Sequence, residues 1–261
     1  MAVVENASPY IRLFFLSRTN MTGEYIVNEQ ISVLAKTCET LFDLENSRLS
    51  PGYYYDSLPL CVIDAVFSIG VRYTSTQKTV HNYCDYFGLR EYNRMRDSEG
   101  DKHTISQLVE NLSRADSVKN ADEIFKNHQR TSTRNGILKA DAVLMFAKIL
   151  KKHRIETLKD LISRELPEKA QEELMRIPGQ RSGLSIRYFC MLAGDDNRAK
   201  PDRHVLHFLK QYTGQEFTIS QAQEALAQTV DILAYKYPNL TVRLLDHTIW
   251  NYMAHEKVKR K

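Results

Sequence analysis

Residues 167–211 read PEKAQEELMRIPGQRSGLSIRYFCMLAGDDNRAKPDRHVLHFLKQ and carry the most specific pattern in the chain. Residues 168–176 have the composition of a short helix, which Pro178 and Gly179 terminate. The following turn, residues 179–183, leads directly into an apolar helix at residues 184–192. The segment therefore predicts two helices joined by a tight turn that contains glycine, which is a helix-hairpin-helix.

The turn of this hairpin is a candidate anion site. Backbone N–H groups in a turn at a helix N-terminus can point outward and hold an anion such as a DNA phosphate. The turn residues predicted to bind DNA are Gly179, Gln180, Arg181, Ser182 and Gly183. Any pair of antiparallel helices also needs a short turn, so the hairpin by itself leaves a purely structural role open.

A third helix is predicted shortly after the hairpin. Residues 200–208 read KPDRHVLHF and place Asp202 at the start of this helix. Asp is a preferred N-cap residue and Pro is a common neighbour, so capping alone would explain Asp202.

The combination of an I-P-G-x-x-x-G turn, an apolar helix and a later P-D-x-H-V segment resembles the helix-hairpin-helix DNA glycosylase superfamily, the endonuclease III-like enzymes of base-excision repair. The family pattern is an L-P-G-x-G-x-x-[TS]-A hairpin followed by a [VP]-D-x-[HN]-[VI] segment that holds the catalytic aspartate. Residues 58–73, LPLCVIDAVFSIGVRY, look like an early family helix. The likeness covers residues 58–208, although only the hairpin and aspartate segments are specific.

The resemblance implies an all-α, bilobal helical DNA glycosylase fold with a DNA-binding cleft between its lobes. One lobe would comprise residues 50–197, including the helix-hairpin-helix at 167–194, and the other residues 1–49 and 198–261. A damaged, mismatched or modified base would be flipped out of double-stranded DNA into the cleft. Asp202 would be the catalytic carboxylate that stabilises positive charge on the sugar while the N-glycosidic bond is hydrolysed, which leaves an abasic site.

The sequence departs from the family pattern inside the hairpin. Bifunctional members carry a lysine that forms a Schiff base with the sugar, but the matching position here is Gly183, which has no amine. Lys200 lies on another segment, so the resemblance predicts a monofunctional glycosylase. Arg181 replaces the second hairpin glycine, and it either disturbs the phosphate cradle or adds its guanidinium to it. No cysteine follows Cys190, so we expect no iron–sulfur cluster, no metal and no other cofactor.

These departures keep two alternatives open. One is a catalytically inactive helix-hairpin-helix DNA-binding protein that acts in repair or in a restriction or defence system. The other is an all-α interaction protein with no role on nucleic acid.

Charge is concentrated around the hairpin. The chain has 36 Lys and Arg against 32 Asp and Glu, a net charge of +4. Residues 176–210 contain seven basic and three acidic residues and account for an equal excess. Further candidate DNA contacts are Arg130, Arg134, Lys200 and Arg203. The first two lie in the polar loop 127–136, for which solvation alone is also a sufficient explanation.

Other titratable residues are weaker candidates. Asp64 lies within an apolar helix and is expected to be exposed or capped, with a position facing the cleft as the alternative. Asp246 and His247, near Trp250, are a candidate pair for acid–base chemistry, but they are expected to form a helix-surface pair, or His247 to lie at the edge of the core. Tyr73 and Tyr188 are able to stack on a base, yet most of the 14 tyrosines must simply pack.

The rest of the chain is dominated by helical spacing of apolar residues. Positions 27, 31, 34, 38 and 41 form one face of a helix, and similar patterns occur at 135–153, 220–237 and 244–252, the last with Thr241 as N-cap. Residues 66–73 read as the end of a helix and its exit. Residues 91–103 are expected to be an exposed connection.

Composition excludes wholesale disorder and a disulfide framework. Hydrophobic residues make up 43% and charged residues 26% of the 261. We expect Cys61 and Cys190 to be buried, reduced thiols, which favours a reducing compartment. The N-terminus shows no export-signal pattern. We therefore expect a cytoplasmic monomer without membrane association, close to the nucleoid if the protein is bacterial.

Overall fold

The computed structural model of the chain describes residues 24–50, 53–92, 103–163 and 165–259. Within these residues the protein is all-α, with two isolated β-bridges and no strand, so the all-α part of the predicted fold class is confirmed. A π-helical segment, Asn120–Phe125, directly follows the short helix Ser117–Lys119. The helices are α1 (Glu24–Leu41), α2 (Leu58–Phe67), α3 (Tyr73–Phe87), α4 (Ile105–Ser113), α5 (Ser117–Lys119), α6 (Lys139–Lys152), α7 (Leu158–Ser163), α8 (Glu168–Met175), α9 (Leu184–Leu192), α10 (Arg203–Thr213), α11 (Ile219–Leu233) and α12 (Val242–Lys259).

The helices predicted from apolar spacing and from the hairpin pattern are all present. α8 and α9 form the arms of the predicted hairpin, and α2 ends at Phe67, inside the run read as a helix exit. α6 begins at Lys139, later than the predicted residue 135. Asn135 has a φ of 54°, which is not helical, and the loop that precedes α6 continues to Leu138. Thr241 caps α12 as predicted, since its Oγ1 accepts a hydrogen bond of 3.1 Å from the backbone N–H of Leu244.

Buried apolar side chains form two clusters. The first cluster lies within residues 55–193 and includes side chains of α2, α3, α4, α6, α8 and α9. The second cluster lies within residues 34–44 and 199–253 and includes side chains of α1, α10, α11 and α12. The chain passes from the first cluster to the second just after α9, between residues 193 and 199. This crossing places residues 200–202 at the junction of the two clusters.

The connection at residues 91–103 differs from the prediction where it can be described. Residues 93–102 lie outside the described part of the chain. His103 is buried, and its Nε2 lies 2.8 Å from the hydroxyl of Tyr83. Burial lowers the pKa of His103 to about 4. The expectation of an exposed segment is therefore wrong at His103, because this side chain packs against α3.

All four cysteines are buried and unpaired. The prediction of buried thiols at Cys61 and Cys190 is confirmed. Burial raises the pKa of Cys190 to about 11 and that of Cys38 to about 12. Thiols of this kind pack as small apolar groups and are poor nucleophiles.

Candidate functional site

The hairpin turn uses some of its own backbone N–H groups. The N–H of Gln180 donates to the Ile177 carbonyl and the N–H of Gly183 donates to the Gln180 carbonyl, each at 2.9 Å. Within the described part of the chain, the N–H groups of Gly179, Arg181 and Ser182 have no backbone acceptor. These three are therefore the ones left to bind an anion.

Arg181 and Gly183, the two turn positions that depart from the family pattern, differ in backbone conformation. Gly179 and Gly183 have φ values of 88° and 69°, a region that favours glycine. Arg181 is not among the described non-glycine residues with positive φ, so an arginine is accommodated there without backbone strain. The side chain of Arg181 is exposed, whereas that of Gln180 is buried and accepts a hydrogen bond from the hydroxyl of Ser185. Gln180 as a whole is 0% exposed, so neither its side chain nor its backbone can contact DNA at the surface, and the prediction of Gln180 as a direct DNA contact is wrong.

The polar loop 127–136 packs directly against the hairpin. A Cβ atom added to Gly179 would lie 2.5 Å from the Thr131 Cβ and 3.0 Å from the Thr131 carbonyl oxygen. Arg130 and Arg134 of this loop are exposed, and Nη1 of Arg130 donates to the Gly136 carbonyl at 2.7 Å. The fold thus brings two of the candidate DNA contacts next to the turn.

A shallow groove runs along the outer side of the hairpin. Its volume is about 580 Å³, and it is lined by Met175, Arg176, Ile177, Pro178, Gly179 and Arg181. Arg176 and Arg181 are both exposed. The groove therefore has two exposed guanidinium groups among its lining residues, beside the turn.

Asp202 caps α10 and is also tied to α12. Its Oδ1 accepts hydrogen bonds from the backbone N–H groups of His204 at 2.7 Å and Val205 at 3.3 Å. Its Oδ2 accepts from the indole N–H of Trp250 at 3.2 Å. The residue is partly exposed. The capping role is real, but the Trp250 contact goes beyond it, since it fixes the orientation of the whole carboxylate.

Lys200 reaches from this segment to the first cluster. Its Nζ donates to the Ser68 hydroxyl at 3.0 Å and lies 3.5 Å from the centroid of the Tyr188 ring. Asp64 and Asp202 interact electrostatically with the same amine, whose pKa is lowered by desolvation despite them. The side chain of this candidate DNA contact is thus directed towards the end of α2, while Arg203 is exposed at the start of α10.

Asp64 is fully buried, so the expectation of an exposed or capped carboxylate is wrong. Its Oδ2 accepts hydrogen bonds from the hydroxyl of Tyr55 at 2.7 Å and from that of Tyr188 at 3.5 Å. Among the described residues, Oδ1 has no hydrogen-bond partner. Desolvation raises the pKa of Asp64 to about 6, although Lys200 and the tyrosine hydroxyls act in the opposite direction.

Asp246 is also buried, so the expected surface pair is wrong. Desolvation, followed by the negative charge of Asp202, raises the pKa of Asp246 to about 7, while the Lys200 backbone N–H acts against this shift. His247 is half-buried, and its ring centroid lies 4.3 Å from that of Tyr53, as expected for a histidine at the edge of the core.

The arrangement gathers three carboxylates around one amine where the two clusters meet. Asp64 comes from α2 and Asp246 from α12. Lys200 and Asp202 come from residues 193–202, the crossing segment, which leads from the first cluster to the second. The sequence contained a signal for Asp64, because α2 is apolar on every face and any residue within it must be buried. No comparable signal existed for Asp246, whose helix carries polar residues on several faces.

Lys139 is a further buried charge that the sequence analysis missed. It is 1% exposed, and its Nζ donates to the carbonyls of Phe67 and Ile69, each at 2.8 Å. Desolvation and the charge of Lys200 lower its pKa to about 8. Lys139 therefore caps the C-terminal end of α2 and fixes the loop that follows it. This loop contains Ser68, whose hydroxyl accepts a hydrogen bond from Lys200.

Replacing Asp246 with asparagine is expected to stabilise the protein at pH 8. The folded protein binds more protons than the unfolded chain between pH 3.8 and about 7, so the free energy of unfolding falls as the pH rises through this window. The amide removes this loss, and we expect a gain of about 1 kcal/mol or more at pH 8 that disappears below pH 4. Urea denaturation at both pH values measures it.

The matched control is Glu224→Gln, which neutralises an exposed carboxylate on α11 and is expected to change little at either pH. A loss of stability in Asp246→Asn at pH 8 would show instead that Lys200 holds the Asp246 carboxyl ionised in the folded protein.

The described residues contain no group of three metal-ligating side chains, and none of their helices is long and apolar enough to cross a bilayer. No curated protein and no solved structure matches the chain significantly. A family whose description is "Domain of unknown function (DUF8548)" matches residues 32–254, a range that includes both clusters and all of the site residues. The chain therefore belongs to the DUF8548 family.

Proposed function

We propose that this protein is a monofunctional DNA glycosylase, which hydrolyses the N-glycosidic bond of a damaged, mismatched or modified base and leaves an abasic site. The observation that carries the proposal is the setting of Asp202. Its carboxylate is oriented by three N–H donors at the point where the chain crosses from the first cluster to the second. A base flipped out of duplex DNA would enter at this junction.

Asp202 would act on the sugar. When the bond between C1′ and the base breaks, the electron pair leaves with the base and positive charge develops on the sugar. A carboxylate beside C1′ stabilises that charge and accepts a proton from the attacking water. Hydrogen bonds donated by the N–H groups of His204, Val205 and Trp250 hold both oxygens of the carboxylate in place and prevent it from turning away.

The hairpin would hold the DNA backbone. The N–H groups of Gly179, Arg181 and Ser182, which have no backbone acceptor among the described residues, suit one phosphate, and the exposed side chains of Arg176 and Arg181 line the adjoining groove. The two buried clusters support a bilobal helix-hairpin-helix glycosylase fold. We further propose that the protein acts as a monomer in the cytoplasm, at the nucleoid if it is bacterial, since four free cysteines fit a reducing compartment.

A second candidate is an inactive helix-hairpin-helix DNA-binding protein of a repair, restriction or defence system. The observation that favours it is that Asp202 already has a complete structural role, because it caps α10 and binds Trp250 of α12. Under this alternative the chain binds DNA and excises nothing.

One assay separates the candidates. The protein is incubated with duplexes that each carry one lesion, and abasic sites are then cleaved with alkali. Nicks on at least one duplex support the glycosylase. Salt-dependent DNA binding without nicks on any lesion supports the inactive binding protein, and absence of such binding contradicts both.

The double variant Arg134→Ala, Arg181→Ala is expected to weaken DNA binding about tenfold near 0.1 M salt. Each side chain is exposed beside the turn, and loss of two phosphate contacts lowers the slope of log affinity against log salt by about 2. Fluorescence anisotropy over a salt series measures both quantities. Lys36→Ala, Lys148→Ala removes the same charge from α1 and α6, and an equal loss there would contradict an interface at the hairpin.

A further inference from the structure

Asp64 combines three features that a structural aspartate does not need. The residue is 0% exposed, its Oδ1 has no hydrogen-bond partner among the described residues, and its surroundings are aromatic. An unpaired polar atom in the interior costs about 1–3 kcal/mol. The position is therefore hard to explain by stability alone, and an unpartnered buried acceptor is a natural contact for a ligand.

The groups that face Asp64 come from every side. Tyr55 precedes α2, Tyr73 begins α3, Tyr188 lies on α9 and Lys200 comes from the crossing segment. Of these, Tyr73 and Lys200 are partly exposed, whereas Tyr55 and Tyr188 are buried. The ammonium of Lys200 lies over the face of the Tyr188 ring. A flat heterocycle that displaced Lys200 would find an aromatic face to stack on and a carboxyl group below it.

The two carboxyl groups on either side of Lys200 have opposite environments. Asp202 is partly exposed, and its carboxylate accepts three hydrogen bonds from N–H groups at the N-terminus of α10. Asp64 lies among aromatic rings, and its burial raises the pKa to about 6, which favours the protonated form. Two carboxyl groups in such different surroundings can take different roles in one site, and the buried group is the better proton donor.

We propose that Asp64 contacts the flipped base and protonates it as it leaves, so that excision is divided between Asp202 on the sugar and Asp64 on the base. This inference rests on the proposed glycosylase function. The bond between C1′ and the base nitrogen breaks, the electron pair passes to the base, and the Asp64 carboxyl proton passes to a ring nitrogen. Water adds to C1′ and loses its proton to Asp202, and solvent returns a proton to Asp64.

The test is Asp64→Asn in single-turnover excision on two classes of duplex. A neutral base such as hypoxanthine or uracil needs a proton to leave, whereas a base that is already cationic, such as N7-methylguanine, does not. We expect a loss of roughly 100-fold on the neutral base and less than tenfold on the cationic base. In the wild-type protein the rate on the neutral base falls as the pH rises above 6, and this dependence is absent from the variant.

Controls separate a chemical from a structural role. Asp64→Glu is expected to restore part of the rate and the pH dependence, and Asp56→Asn changes a carboxylate of the preceding loop that pairs with Arg90 and leaves both rates unchanged. DNA affinity and melting temperature of Asp64→Asn show that the fold persists.

The outcomes decide between the inference and the function on which it rests. Equal losses on both classes, or full activity of Asp64→Asn on the neutral base, overturn the role of Asp64 and leave the glycosylase intact. Excision of cationic bases alone by the wild-type protein also overturns it, since no donor is then needed. Absence of wild-type excision on every duplex overturns the glycosylase itself.

Discussion

Asp202→Asn is expected to lower base excision about 1,000-fold while DNA affinity stays within about twofold. Asparagine keeps the shape of the side chain, and its carbonyl oxygen can still accept from the N–H groups of His204 and Val205. The negative charge that would stabilise the sugar is lost. Single-turnover excision on the most active lesion duplex and anisotropy on the same DNA measure the two effects.

The capping role of Asp202 must be separated from catalysis. Asparagine and serine are about as good as aspartate at an N-cap, so both variants are expected to lose only a few tenths of a kcal/mol from α10. Loss of the Trp250 contact adds up to about 1.5 kcal/mol. Asp202→Ser is therefore expected to be folded and as inactive as Asp202→Asn. Retained excision in either variant would contradict the proposed role of the carboxylate.

Local signals in the sequence were sufficient for the hairpin and for α10. Glycine is the residue type that favours positive φ, and Gly179 and Gly183 both have it, so they indicate a turn. Aspartate is a preferred N-cap, and the Asp202 side chain accepts from the backbone N–H groups of His204 and Val205 at the start of α10. These features depend on neighbours in the chain and can be predicted without tertiary structure. The consequence of Arg181 could not be predicted in this way, because the residue types of a turn do not reveal the φ value at each position.

The buried charges were beyond local prediction for a different reason. Asp64 and Lys200 are 136 residues apart in the chain and meet only because α9 and the crossing segment fold back over α2. Lys200 lies on a different segment from the hairpin lysine of the bifunctional enzymes, and its long side chain reaches Ser68. Sequence spacing predicts which residues belong to a helix or a loop. It does not predict which distant residue the amine of a long, flexible lysine side chain will contact.

The contact between Gly179 and Thr131 is equally non-local, and it connects the hairpin to the polar loop. Their Cα atoms belong to segments separated by α6, α7 and α8. The hairpin pattern predicts a glycine at 179 for reasons of backbone conformation alone. The structure adds a steric reason, because no Cβ atom fits at this position unless loop 127–136 moves.

Gly179→Ala is therefore expected to destabilise the protein by about 3 kcal/mol, well beyond the conformational cost of a positive φ. That cost is about 1–2 kcal/mol for an alanine in the left-handed region, and overpacking against the Thr131 Cβ at 2.5 Å and its carbonyl oxygen at 3.0 Å adds about 1–3 kcal/mol. Chemical denaturation measures the change. DNA affinity is expected to fall as well, because movement of the loop displaces Arg130 and Arg134 from the turn.

Two alanine variants isolate the steric part of this effect. Gly183 has a φ of 69° and would place a Cβ only near the Met175 Sδ at 3.8 Å, while Gly88 has a φ of 64° and no atom within 4 Å. Both variants are expected to lose only the 1–2 kcal/mol of backbone conformation. If Gly179→Ala lost no more than Gly88→Ala, the loop would not be held by the hairpin. The hairpin turn and loop 127–136 would then not form one DNA-binding surface, and Arg130 and Arg134 would be ordinary solvated residues.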